Sequence, residues 1–94
     1  MTIIQINEEN HGTIGAATSI KEAVKWLIKS GWIWGTEDYD GKYNQETKKW
    51  EYTSPIERYG DNWQEVLPER PTYEIVSFLD GVFYFHEITL HGAE

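Results

Sequence analysis

The sequence predicts an α+β fold: one domain over residues 1–94, with an antiparallel sheet of about four to six strands made from two hairpins plus an N-terminal strand. Three observations predict it. One stretch, at residues 20–30, places apolar side chains at helical spacing. Two pairs of aromatic and β-branched runs flank clusters of turn-forming residues. With 94 residues, 39% of them hydrophobic, the chain has material for one core and little else.

From the N-terminus, Ile4 and Ile6 alternate with Thr2, Gln5 and Asn7, which reads as a short opening strand over residues 1–7. Gly12 and Gly15 mark the segment after it as a loop. Ser19 with Glu22 three residues later forms a capping box, and Ile20, Ala23, Val24, Leu27 and Ile28 recur on one helical face. Gly31 stands where a glycine stops such a helix. The helix therefore runs over 20–30. Trp32, Ile33 and Trp34 follow as a strand with both tryptophans on one face.

Asn44 to Lys48 is a polar turn between Lys42-Tyr43 and Trp50-Glu51-Tyr52, a hairpin in which Tyr43 and Trp50 are cross-strand neighbours. Ser54, Pro55 and Glu57 signal a short helix that Gly60 ends, and Asp61 starts a second through Trp63, Glu65 and Val66. These short helices fill residues 55–67, and Pro68 to Pro71 links them to the next element. Asp80-Gly81 is a two-residue hairpin turn between Tyr73–Leu79 and Val82–Leu90. Its register sets Phe78 opposite Phe83 and Glu74 opposite Glu87.

Sixteen acidic against eight basic side chains give a formal charge of −8. A surface that grips nucleic acid needs clustered Lys and Arg, so direct nucleic-acid binding is excluded as an expectation. The 5 Trp, 6 Tyr and 3 Phe argue against a disordered chain. With no cysteine there is no disulfide and no thiolate metal site. No apolar stretch reaches the roughly 18 residues of a membrane span, and the first ten residues lack a signal peptide's basic start, so a cytoplasmic protein is expected.

No motif specifies catalysis, a cofactor or a metal. Glu74 opposite Glu87 would bring two carboxylates within about 5 Å, close enough to couple as acid and base, but a solvated sheet end explains the pair as well. Ser77 and His86 share a face of the expected hairpin without a nucleophile elbow beside them. His86 and His91, five apart on a strand, point to opposite faces, and His11 is distant. Glu37, Asp38, Asp40 and Gly41 resemble a calcium loop only until Lys42 and Lys49 fall where ligands are needed. Gly12-Thr13-Ile14-Gly15 lacks the spacing of a phosphate loop. Lys21, Lys25 and Lys29 form the solvated back of the helix, with Trp26 off its apolar face.

Charge is uneven: residues 1–36 are neutral, residues 37–65 carry −4 and residues 66–94 carry −4. One helix covers only one face of a sheet, so some aromatics on the other face need a second cover. Aromatic anchors rimmed by carboxylates suit a basic protein patch. The function expected is a non-enzymatic protein-binding module, an inhibitor occluding a basic, nucleic-acid-binding surface of a larger protein. Phage anti-defence proteins, including anti-CRISPR proteins, and toxin-immunity proteins are alike in type, without a shared motif. Trp34, Glu37, Asp38, Tyr39, Asp40, Tyr43 and Glu46 are the expected partner-binding residues. Strict DNA mimicry is disfavoured, because duplex DNA carries one charge per about 1.7 Å of axis. A homo-oligomeric structural or regulatory domain, a homodimer among its forms, with the aromatic face buried by a second copy, is the first alternative, and a small enzyme or ligand-binding domain using Glu74, Glu87 or His86 is the second.

Overall fold

A computed structural model describes residues 2–89; Met1, Leu90 and His91, which the expectations above include, lie outside them. The fold is α+β, with five strands in two antiparallel sheets among the described residues. In chain order the elements are β1 (Thr2–Glu8), β2 (Gly12–Ala17), α1 (Ile20–Lys29), β3 (Tyr39–Asn44), β4 (Lys49–Thr53), α2 (Pro55–Tyr59), α3 (Trp63–Val66), α4 (Thr72–Leu79) and β5 (Phe83–Thr89). A 3₁₀ turn, Leu67–Glu69, precedes α4. One sheet has the order β2-β1-β5; the other is the hairpin β3-β4.

Helix α1 forms as its spacing demands. Ser19 Oγ accepts the Glu22 backbone N–H at 3.2 Å, while the Glu22 carboxylate lies 3.7 Å from Lys25. At the other end Gly31, at φ +78°, lets Trp32 N–H reach the Leu27 carbonyl at 2.8 Å and Gly31 N–H reach Ile28 at 3.1 Å, a Schellman stop. That stop overturns the strand expected at Trp32, Ile33 and Trp34: Trp32 N–H is already used, and the segment is an irregular loop. Ile33 alone is buried there; Trp34 stays outside.

Two further corrections concern sheet membership. Gly12 to Ala17 is a strand, not a loop, paired with β1 through Ile4–Ala17 and Ile6–Gly15. Its residues are small because the Trp26 ring lies on it: a Cβ on Gly15 would sit 3.1 Å from that ring. The expected C-terminal hairpin does not form. Residues 72–79 are helix α4, with Ile75, Phe78 and Leu79 buried at i, i+3 and i+4. Asp80 caps the helix, and Gly81, at φ +92°, ends it; the same positive φ that suits a tight hairpin turn suits a helix stop. Strand β5 pairs instead with β1, Ile6 facing Phe85 and Ile4 facing Glu87.

The core lies between the β2-β1-β5 sheet and the helices. Ile6, Ala23, Val24, Leu27, Leu67, Ile75, Phe78, Leu79 and Phe83 are all buried, joined by Ile33, Tyr39 and Trp63. Ser54 caps α2 by accepting Glu57 N–H at 3.2 Å and donating to the Glu57 carboxylate at 3.0 Å, with Pro55 at the first helical position. Asn62, not Asp61, stands at the start of α3, and it makes no side-chain cap.

Candidate functional site

The hairpin β3-β4 has two unlike faces. Its register sets Tyr43 opposite Trp50 and Lys42 opposite Glu51, as the turn chemistry predicts. Side chains alternate along a strand, so Tyr43 shares a face with Gly41, and Trp50 shares it with Tyr52. Tyr43 and Trp50 meet edge to face, centroids 5.6 Å apart and rings at 63°. Tyr52 lies over Gly41, where an added Cβ would come within 2.7 Å of the ring. These three aromatics form a platform that remains 47% (Tyr43), 62% (Trp50) and 55% (Tyr52) exposed. The opposite face is polar, with Asn44 Nδ2 donating to the Glu51 carboxylate at 2.8 Å.

Local geometry fixes this hairpin at both ends. In the turn, Asn44 Oδ1 accepts N–H from Glu46 at 2.9 Å and Thr47 at 3.2 Å, and Lys48 takes φ +56°. At the base the register shifts between Tyr39 and Lys42, and Asp40 adopts φ +55°, which a short polar side chain tolerates. The Asp40 carboxylate accepts from Arg58 at 2.7 Å and lies 3.2 Å from Lys42 Nζ. Tyr39 anchors the base in the core, 5.5 Å from the Phe78 ring, and donates its hydroxyl to Glu37 at 2.8 Å. Burial first, and that carboxylate second, push the Tyr39 hydroxyl well above its ordinary value.

The expected partner-binding residues therefore divide. Trp34, 63% exposed, has its indole fixed by donation to the Gly31 carbonyl at 2.6 Å. Tyr43, Asp38, Glu37 and Glu46 are exposed at or beside the hairpin. Tyr39 is buried and holds the fold, and Asp40 is held by two cations. Trp50 and Tyr52 were missing from the expected set, although the Tyr43–Trp50 register and the two-residue spacing to Tyr52 were the signal for them.

The charge also sits differently. The hairpin, residues 39–53, balances Asp40, Glu46 and Glu51 against Lys42, Lys48 and Lys49 and is neutral. The acidic surplus flanks it: Glu37 and Asp38 before β3, and seven acids against two bases over residues 54–89.

The side-chain pairs expected from a C-terminal hairpin come apart in the fold. Glu74 is on α4, held by Arg70 through two contacts at 2.8 and 3.1 Å and by the Tyr59 hydroxyl at 2.8 Å. Those donors hold its carboxyl down at about 2. Glu87 and His86 are on β5, facing Ile4 and Gln5. Ser77 is on α4, so the expected Ser77–His86 face does not exist. A carboxylate–histidine pair absent from the expectations occurs at the β1-β2 turn. Glu8 is buried, accepts Asn10 N–H at 2.8 Å and contacts His11 Nδ1, while the His11 ring meets Trp32 edge-on at 5.4 Å. The Asn10 N–H first, then His11, lower the Glu8 carboxyl from its ordinary value. A carboxylate that orients an imidazole is half of a general-base arrangement. The hydroxyl two residues on, Thr13, donates to Asn7 at 2.8 Å.

Among the described residues, no three His, Asp or Glu side chains gather to hold a metal ion, and no helix is long and apolar enough to cross a membrane. A shallow hollow of about 200 Å³, lined by Ile3, Ala16, Ala17 and Thr18, opens beside the β1-β2 pair and carries no titratable group. No protein-family model, no curated protein and no solved structure matches the chain.

Proposed function

We propose that the chain is a non-enzymatic protein-binding module that seats the β3-β4 hairpin on a basic surface of a larger protein and so inhibits it. The observation that carries this reading is the exposed platform of Tyr43, Trp50 and Tyr52. Large aromatics cost side-chain entropy on only two torsions and supply most of the anchoring energy in protein interfaces, so a pre-ordered, uncovered set of them fits an interface core. Trp34 extends the anchor set. Glu37, Asp38 and Glu46 form the rim, and the surplus of carboxylates over residues 54–89 steers a cationic partner from a distance. An acidic inhibitor of a nucleic-acid-binding protein, acting in the cytoplasm as phage anti-defence or toxin-immunity proteins do, is the role that suits this chemistry.

The test is capture from native cell extract, with the wild type beside a Tyr43→Ala, Trp50→Ala, Tyr52→Ala triple variant, at low and high salt. The expected partner is basic, loses its nucleic-acid binding in the complex, escapes the triple variant and dissociates as salt rises. Equal capture by both proteins, with circular dichroism unchanged, would sink the reading.

A further inference from the structure

Among the described residues, strand β5 is an edge of the three-stranded sheet, with no strand on its outer side. Glu9 N–H donates to the Val82 carbonyl at 2.9 Å, and the register continues as Asn7–Tyr84, Gln5–His86 and Ile3–Ile88. In an antiparallel ladder the bonded pairs alternate, so Tyr84, His86 and Ile88 turn their backbone groups to β1. Phe83, Phe85, Glu87 and Thr89 turn theirs outward. Edge strands are ordinarily guarded by proline, lysine, a bulge or brevity. Strand β5 has none of these: seven residues pair with β1 without a break, and the one formal charge is Glu87. The opposite edge, β2, is guarded, with a register shift against Ile6 and Asn7 and the Trp26 ring across Gly15.

We propose that two copies of this chain pair through β5, antiparallel, into one sheet of order β2-β1-β5-β5-β1-β2. A two-fold axis perpendicular to the sheet keeps both helical layers on one side, so residues opposite each other share a face and the register must be centred on a residue. Centring on Glu87 would oppose two carboxylates, which is destabilising. Centring on Phe85 leaves Ile88 and Thr89 against the partner's turn. Centring on His86 pairs every residue from Phe83 to Thr89. It sets Phe85 opposite the partner's Glu87 with their outward groups bonded, and Tyr84 opposite the partner's Ile88. Tyr84 and Ile88 are both exposed in the single chain, and this register covers each with the other. Because each copy carries −8, the dimer strengthens as salt rises, opposite to the salt dependence of a basic partner.

A cysteine-free chain allows a direct test of register. In the proposed dimer, His86 faces the partner's His86 as a non-hydrogen-bonded pair, within disulfide range. The variant His86→Cys should form a disulfide dimer under mild oxidation, Tyr84→Cys should do so at least about ten-fold more slowly, and Tyr84→Cys combined with Ile88→Cys should recover the fast rate. Glu87→Pro removes an outward N–H and leaves the β1 ladder intact, so it should stay monomeric in sedimentation while the wild type moves toward twice its mass with concentration. A wild type that remains monomeric at concentrations on the order of 1 mM overturns the proposal. So does cross-linking of His86→Cys no faster than Tyr84→Cys, or a dimer that survives Glu87→Pro and is lost in Trp50→Ala, which would place the contact on the hairpin.

Discussion

The β2-β1-β5 sheet and the β3-β4 hairpin use aromatic residues in opposite ways. On the inner face of the sheet, Phe83 is buried within the core cluster and Phe85 is half-buried against it. On the hairpin, Tyr43 packs on Trp50 and Tyr52 lies on Gly41, and all three stay in solvent. A two-stranded ribbon is marginal in water by itself, so the hairpin depends on Tyr39 and the Asp40–Arg58 pair to tie it to the core. The contrast teaches that aromatic content alone does not locate a core; whether a helix crosses the strand decides it.

The largest expected effect breaks the core side of the comparison. Phe78 touches Tyr39 at 5.5 Å and Tyr59 at 5.7 Å, and Arg58 stacks on it at 5.1 Å. Phe78→Ala should cost about 3–5 kcal/mol in urea unfolding and loosen the hairpin base with it. Two of the glycines under aromatic rings sharpen the comparison. A Cβ on Gly35 would meet buried Trp63 at 2.6 Å and Ile56 at 2.9 Å, so Gly35→Ala should cost about 1–3 kcal/mol. Gly41→Ala presses only on the exposed Tyr52 ring, which can swing away; its cost should stay under about 0.5 kcal/mol by the same measurement.

Acid titration probes the helical side. Arg70 and Tyr59 hold the folded-state Glu74 carboxyl down at about 2, below its ordinary 4.5. Its stabilising contribution is therefore present above pH 4.5 and lost as pH falls from there toward 2. Thermal melts across that window should fall more steeply for the wild type than for Glu74→Gln. On the alkaline side, burial and the Glu74 carboxylate raise the Tyr59 hydroxyl to about 12, so its contribution is lost as pH rises from 10 toward 12, and Tyr59→Phe should flatten that limb. The aromatic contact on the hairpin itself is a modest contribution: a double-mutant cycle on Tyr43 and Trp50 should give a coupling of about 0.5–1.5 kcal/mol.

Much of this fold was legible in the sequence where a local signal had one meaning. The Ser19 cap, the Gly31 stop and the Asn44 turn each admit a single element, and each formed. Asp80-Gly81 has two meanings, and the deciding evidence was upstream: Ile75, Phe78 and Leu79 recur at helical spacing after Pro71, with Glu74 in the first turn, and no alternation supports a strand. Strand β2 was illegible for another reason. Gly-Thr-Ile-Gly-Ala-Ala has low strand propensity, and only the long-range pairing to β1 and the Trp26 ring explain it. The candidate site was half legible: Tyr43, Trp34, Glu37, Asp38 and Glu46 face solvent, while the burial of Tyr39 and the pairing of Asp40 with Arg58, eighteen residues away, depend on tertiary contacts.

The placement of the tryptophans has an optical consequence. Trp63 is 6% exposed beneath the helices, whereas Trp50 and Trp34 are 62% and 63% exposed on or beside the hairpin. Unfolding moves Trp63 into water and shifts its emission to the red; docking on the platform removes Trp50 from water and shifts its emission to the blue. With Trp50→Phe and Trp63→Phe variants to assign the bands, intrinsic fluorescence separates loss of the fold from engagement of a partner, with no added label.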